Sequence, residues 1–297
     1  MLREAAETLE RSGSETPRLD AELLLGHVVS AGRTTLLAAP EAAVSDGQSE
    51  RFRELVERRA RGEPVAYIRG IKEFYGIALS VDARALIPRP ETELLVDLGL
   101  ERIKHLLIDE PRPSDSAALL VWDMGTGSGA ICVALAVECR RRGYGADVRF
   151  RATDSSADAL ALAVENAVGH GVADQIDFAL ADLTSGQTPG DNPAMADLIV
   201  ANLPYIPSDV VPTLPVAASF EPVAALDGGA GGLTVIERLL TELPDALAER
   251  GEALLEIGAD QGASIEAAVT RTLPDWRVEI RNDLAGRPRV AIISRPA

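Results

Sequence analysis

Three short stretches of this chain hold residue types that chemistry can use. The first is Asp123-Met124-Gly125-Thr126-Gly127-Ser128-Gly129, which follows an apolar run and precedes a helical one. Its alternating glycines allow a tight turn and let a ligand approach the backbone. With Ala130 the spacing also fits a dinucleotide fingerprint. By itself the loop says only that a nucleotide-like ligand binds there, or that glycines pack a strand-to-helix turn. The second stretch supplies acids. Asp154 ends the next predicted strand, 25 residues past Gly129, where a carboxylate can accept from both hydroxyls of a ribose. It could equally cap the helix starting at Ala157, a task open to Ser155 or Ser156 as well. Asp182, followed by Leu183, stands just past the third strand, where an acid could meet an adenine amino group or simply be solvated. The third stretch is Asn202-Leu203-Pro204-Tyr205, after the strand-like Asp-Leu-Ile-Val-Ala. The Asn202 oxygen and the Leu203 carbonyl could each accept one hydrogen of an NH2 group, and the Tyr205 ring could stack on its plane. Hydride transfer needs no such clamp. The alternative is a proline turn with a core tyrosine.

These residues need a scaffold that brings strand ends together. From residue 118 the chain alternates strand-like and helix-like segments. Strands are expected at 118–123, 147–153, 175–179, 197–201, 253–257, 277–280 and 290–294, with helices at 129–141, 157–169, 232–250 and 261–273. This alternation predicts an α/β fold with a mostly parallel sheet and covered faces. No helix separates the last two strands, so they should pair antiparallel at the sheet edge. Residues 1–62 read as short helices, with Pro17 suited to a helix start and Phe52, Leu55 and Val56 facing inward. Residues 64–81 are β-branched and aromatic, with Gly70 and Gly76 as turns, and read as a hairpin or extended linker. A helix should start at Pro90 and run to about 107, followed by a loop at 110–116.

Composition narrows the function classes. The chain has 297 residues, 46% hydrophobic and 25% charged, ordinary values for a globular protein. No apolar run approaches the ~18 residues of a membrane span, and the charged N-terminus lacks a signal-peptide core; a cytoplasmic protein with no membrane partner is expected. Cys132 and Cys139 lie seven apart, on one helix face, and read as core. His27, His105 and His170 are scattered, so no metal site is expected. The net charge of −17 is uneven: −2 over residues 1–85 and −15 over 86–297. So acidic a surface repels a phosphate backbone and suits a basic protein or a cationic small molecule. The arginines at 51–61 alternate with Glu50, Glu54, Glu57 and Glu63, as on a solvated helix face.

The order of Gly125–Gly129, Asp154 and Asn202–Tyr205 resembles class I S-adenosylmethionine-dependent methyltransferases that act on planar amino nitrogens. Further stretches resemble the HemK/PrmC family over nearly the whole chain. They are Gly62-Glu63-Pro64-Val65-Ala66-Tyr67-Ile68, Glu73-Phe74-Tyr75-Gly76, Ile87-Pro88-Arg89-Pro90-Glu91-Thr92-Glu93, Glu221-Pro222, Glu256-Ile257-Gly258 and Asp283-Leu284-Ala285-Gly286-Arg287. The resemblance implies a Rossmann-like, seven-stranded methyltransferase domain at 87–297, a helical substrate-recognition domain at 1–63 and a β-hairpin linker at 64–86. It implies methyl transfer from S-adenosylmethionine to the N5 nitrogen of the glutamine in the Gly-Gly-Gln motif of peptide chain release factors. Asp123, Gly125–Gly129, Asp154, Asp182, Leu183 and Asn202 would hold the cofactor, and Asn202, Leu203, Pro204 and Tyr205 the substrate amide. The helical domain and the Phe74–Val81 hairpin are candidates to grip the release factor. A monomer with no stable nucleic-acid partner is expected. The family normally has proline where this chain has Leu203; Asn-Leu-Pro-Tyr is the form of ribosomal-RNA adenine dimethyltransferases. An adenine-N6 methyltransferase acting on RNA, or a non-catalytic relative that binds the cofactor, therefore stays open.

Overall fold

A computed structural model of the chain describes residues 1–38, 41–109, 117–185 and 195–296. The loop expected at 110–116 lies outside them. The chain forms two compact units, one of Met1–Ile71, Val81–Ala83 and Leu214–Glu221, the other of Lys72–Ser80, Arg84–Thr213 and Pro222–Ala297.

The first unit holds α1 (Leu2–Arg11), α2 (Pro17–Val29), α3 (Arg33–Ala38), α4 (Asp46–Ala60) and α5 (Val65–Arg69). Leu9, Leu24, Phe52 and Leu55 are fully buried at its centre. Pro17 begins α2, and Ser45 with Gln48 closes a reciprocal cap at the start of α4. The arginines of α4 pair only partly as their spacing suggests: Arg51 meets Glu54, three residues on, at 2.8 Å, whereas Arg58 pairs with Glu63 beyond the helix and Arg59 reaches the buried Asp20 of α2 at 2.7 Å. One expectation needs correction. Residues 65–69 are helical rather than extended. Pro64 precedes this single turn, Gly70 closes it at φ 69°, and Ile68 is buried beneath it.

In the second unit, β1 (Ile71–Phe74) and β2 (Ile77–Ser80) form a hairpin. Its turn residues Tyr75 and Gly76 have φ of 48° and 70°, the pattern of a type I′ turn that matches strand twist. Phe74, Ile77 and Leu79 face the unit's core, so only the alternate residues, such as Glu73 and Ala78, are exposed. A 3-10 turn at Pro90–Thr92 leads into α6 (Glu93–Lys104).

The main sheet has seven strands: β3 (Leu119–Met124), β4 (Val148–Asp154), β5 (Ile176–Leu180), β6 (Ala196–Ala201), β7 (Leu247–Glu256), β8 (Arg277–Asn282) and β9 (Pro288–Ser294). Their order is β5-β4-β3-β6-β7-β9-β8. Only β9 runs against its neighbours, inserted between β7 and the outermost β8. The helices α7 (Ala130–Arg141), α8 (Ala157–Gly169), α9 (Thr234–Ala246) and α10 (Gly262–Thr272) complete the domain. Helix α9 ends earlier than its pattern suggests, and β7 begins earlier. Pro244 lies inside the last turn of α9, and Leu247 already pairs with Ala196 of β6.

Strand order and register position the site. The chain leaves β3 in one direction through β4 and β5, then returns to the other side of β3 as β6. Such a switch opens a crevice at the carboxyl ends of the strands. Met124 lies level with Thr153 of β4 and Ala201 of β6. The next residues along, Gly125, Asp154 and Asn202, therefore emerge side by side.

Candidate active site

A cavity of about 300 Å³ opens at this crevice. Gly125, Thr126, Gly127 and Ser128 form its floor, and Asp154, Asp182, Leu183 and Asn202–Pro204 line it as well. Three of the residues expected there are not among the described residues that line it. Asp123 is fully buried, Gly129 packs against Ala163 and Tyr205 is partly buried beside the core.

The loop is held from beneath. The N–H groups of Gly125 and Thr126 both donate to the Thr153 carbonyl, at 2.8 and 2.9 Å. Asp123 is fully buried; its Oδ2 accepts from the Thr126 hydroxyl at 2.7 Å and the Cys132 N–H at 3.1 Å. Burial pushes its pKa up to about 7, against the pull of those two hydrogen bonds. Asp123 thus ties the loop to the start of α7 instead of facing the cavity. Asn166, which sequence reasoning missed, donates from Nδ2 to the Ser128 carbonyl at 2.8 Å and also clips Ser80 of β2. The glycines differ in purpose. At Gly129 a Cβ would meet Ala163 Cβ at 3.0 Å, so helix packing demands it. At Gly127, φ is 56° and a Cβ would meet only Ala85 Cβ, at 3.9 Å, so a ligand can reach the backbone there.

Asp154 accepts from the Gly127 N–H at 2.8 Å through Oδ2 and from the Ser156 N–H at 2.9 Å through Oδ1. It does not cap α8; Ser156 does, accepting from the Ala159 N–H at 3.2 Å. Burial raises the Asp154 pKa, with backbone hydrogen bonds opposing. Asp182 is exposed and pairs with Arg238 of α9 at 2.8 Å, while Leu183 is buried at φ 56°.

Asn202 donates from Nδ2 to the hydroxyl of Thr92 at 3.1 Å, leaving Oδ1 as its acceptor. Tyr205 packs partly buried beside the core and directs its hydroxyl at Glu256 Oε1, 3.4 Å away. Burial first, then the nearby Glu256 charge, push its pKa up to about 12. The ring therefore anchors the end of the turn. Thr92, which lines the cavity, and Glu256 stood within stretches that carried the family resemblance, but no spacing in the sequence linked either to Asn202.

Leu203 is only 5% exposed, packs in the cluster around Trp122 and Met124, and would lie 2.9 Å from a Cβ on Gly125. Leu203→Pro keeps the backbone carbonyl but removes part of that apolar contact. We expect the melting temperature to fall by roughly 2–6 °C, from about 1–1.5 kcal/mol of lost packing, with transfer activity retained. Loss of activity without loss of stability would mean that the Leu203 side chain or N–H, and not its carbonyl alone, serves the site.

Comparison with known proteins follows the same lines. Residues 1–70 match the PrmC N-terminal domain family. The chain is 38% identical over 297 residues to a release factor glutamine methyltransferase of Nitratidesulfovibrio vulgaris, covering 99% of this chain and 94% of that protein. A protein of the same name from Neisseria gonorrhoeae is 38% identical over 279 residues, 94% of each. One from Rhodopirellula baltica is 35% identical over 296 residues, 98% of this chain and 93% of its own length. Among solved structures, the hMettl16 catalytic domain in complex with MAT2A 3'UTR hairpin 1 superposes with a TM-score of 0.55 at 14% identity, covering 84% of this chain and 81% of that one. At that identity the likeness concerns the fold alone.

Proposed function

The chain belongs to the release factor glutamine methyltransferase family, and on that premise we propose how the crevice at β3, β4 and β6 carries the reaction. The enzyme transfers a methyl group from S-adenosylmethionine to the side-chain amide nitrogen of a release-factor glutamine; the glutamine of the Gly-Gly-Gln motif is the one we assign. The residues present fit the cofactor. Gly127 leaves its backbone open to a ligand, Asp154 offers a half-buried carboxylate for the ribose, and Leu183 gives an apolar wall. Asp182, held by Arg238, stands at the same wall for the adenine amino group. When bound, S-adenosylmethionine supplies an electrophilic methyl on a cationic sulfur, which suits an acidic crevice.

An amide nitrogen is a weak nucleophile because its lone pair is shared with the carbonyl. Positioning is therefore what the protein must supply. Asn202 Oδ1 and the Leu203 carbonyl accept the two hydrogens of the substrate amide and stabilise the positive charge that grows on its nitrogen. Pro204 stiffens the turn and Tyr205 pins it from below. No general base is needed, since the methylated nitrogen becomes acidic and water can take its proton. The observation that carries this reading is Asn202 at the cavity edge with its NH2 group already bound to Thr92.

The helical unit and the charge distribution point to a protein partner. We assign the release factor to the helical unit. The hairpin stands as a second candidate surface, through exposed residues such as Glu73 and Ala78. Among the described residues no helix is long and apolar enough to cross a membrane; a monomer in the cytoplasm, without a stable nucleic-acid partner, is the form we assign. Labelled cofactor offered together to a release factor and to ribosomal RNA tests the whole reading. Label should enter the release factor, with modest salt dependence, because the −15 of residues 86–297 repels phosphates. Label in RNA, or tight RNA binding that falls steeply with salt, would favour the adenine-N6 reaction instead.

A further inference from the structure

We propose that Glu242 and Arg238 of α9 are positioning residues for the cofactor. Gripping the chain on either side of Leu183, they hold that residue in a strained backbone conformation that makes it a wall of the cavity. The inference rests on the reading above, in which Asp182 and Leu183 stand at the adenine of S-adenosylmethionine.

Among the described residues, three that are not glycine have positive φ: Ser30, Tyr75 and Leu183. Ser30 ends α2 and Tyr75 turns the β1–β2 hairpin, places where such a backbone is ordinary. Leu183, at φ 56°, is the one of the three that lines the cavity. It sits in a tight turn, where the Ser185 N–H donates to the Asp182 carbonyl at 3.1 Å and the Ser185 hydroxyl to the same oxygen at 2.6 Å. A turn with positive φ at its first central position normally takes glycine, asparagine or aspartate. A leucine there is strained at its Cβ, and such strain persists only where the surrounding structure enforces it.

The enforcement comes from one face of α9. Arg238 and Glu242 are about one helical turn apart, so both side chains reach the same loop. Arg238 Nη2 donates to Asp182 Oδ2 at 2.8 Å. Glu242 Oε2 accepts from the Thr184 N–H at 3.0 Å and from the Thr184 hydroxyl at 2.6 Å. The residues immediately before and after Leu183 are thus each tied to the helix. The Asp182–Arg238 pair is half exposed and contributes little alone. The Glu242 contact is partly buried and engages the backbone, so it fixes the peptide that follows Leu183. Helix α9 is a firm base, since Leu239, Leu240 and Leu243 bury its other side in the core. Without the clamp, Leu183 can relax to an ordinary backbone, and only a fraction of the molecules presents the wall. Cofactor affinity falls by that fraction.

Calorimetric binding of S-adenosylmethionine to the full chain, with release-factor methylation measured alongside, tests the clamp. Glu242→Ala should weaken cofactor binding about fivefold to tenfold, the bias that a strained residue of this kind carries. The loss should appear in the cofactor KM more than in kcat. The melting temperature should stay near wild type, because relieved strain offsets the lost hydrogen bonds. Glu242→Gln keeps an oxygen that can accept from both Thr184 donors and should recover most of the affinity. Leu183→Asn tolerates the left-handed backbone without help, so adding Glu242→Ala to it should cost no more than about twofold. Wild-type affinity in Glu242→Ala, no recovery in Glu242→Gln, or a full-size loss in the Leu183→Asn background would overturn the clamp. Should Glu242→Ala fail to fold, Thr184→Val decides, since it removes only the hydroxyl bond at 2.6 Å. A loss of about threefold then supports the clamp, and wild-type affinity overturns it. A wild-type chain that bound no S-adenosylmethionine, or left the release factor unmethylated, would overturn the reading beneath, a separate result.

Discussion

Asn202→Ala is expected to lower kcat for release-factor methylation by roughly 10²–10³-fold, the usual cost of removing one preorganised charge-stabilising group. Affinity for S-adenosylmethionine should stay near the wild-type value. The loss falls on the chemical step because hydrogen bonds to the reacting NH2 strengthen as its nitrogen becomes positive. The geometry sharpens this expectation. Asn202 follows Ala201, level with Met124 of β3, so it stands beside the glycine loop. Its NH2 is held by Thr92, so its oxygen is already oriented before substrate arrives. Single-turnover transfer measured alongside calorimetric cofactor binding separates the two effects. Wild-type turnover in Asn202→Ala would reduce the Asn202–Tyr205 segment to a structural turn.

The second large effect concerns the cofactor. Asp154→Ala should weaken S-adenosylmethionine binding by roughly 10–100-fold, since a hydrogen bond to a charged group contributes about 1.5–3 kcal/mol. Two losses combine here. The ribose loses an acceptor, and the glycine loop loses the tie at 2.8 Å between Asp154 Oδ2 and the Gly127 N–H. Asp154→Asn keeps one acceptor oxygen and should fall between wild type and alanine. The pH dependence has a definite sign. The Asp154 pKa is raised, chiefly by burial, and the charged form is the better acceptor. Cofactor affinity should therefore decline as pH drops toward that raised value, and the decline should vanish in Asp154→Asn. Calorimetry across pH checks both. Unchanged affinity in Asp154→Ala would remove the residue from the ribose contact.

Several features were legible in the residues alone. Alternating strand and helix patterns announced a parallel sheet, and a strand pair without a helix between announced its one reversal. Glycines at 125, 127 and 129 marked a sharp turn because glycine tolerates positive φ, and each adopts it. These signals are local: side-chain periodicity and turn chemistry act over a few residues, so they survive without knowledge of the rest. The cap of α8 shows how narrow the margin is. Asp154 and Ser156 were both able to serve, and only the direction in which β4 delivers each side chain assigned the cap to Ser156 and the loop tie to Asp154.

The tertiary structure decided what lies across the sheet. The sequence places Tyr205 after β6 but does not show that its hydroxyl finds Glu256, 51 residues away; that follows from β6 and β7 being neighbours. The partner of the Asn202 amide is Thr92, 110 residues earlier, and no spacing rule connects positions so far apart. Pro64–Gly70 looked extended by residue type but became helical once Ile68 had a core to enter. Composition and periodicity specify which elements form and where they turn. Which polar group meets which depends on strand register and on desolvation inside the folded domain, and both exist only after distant segments have packed.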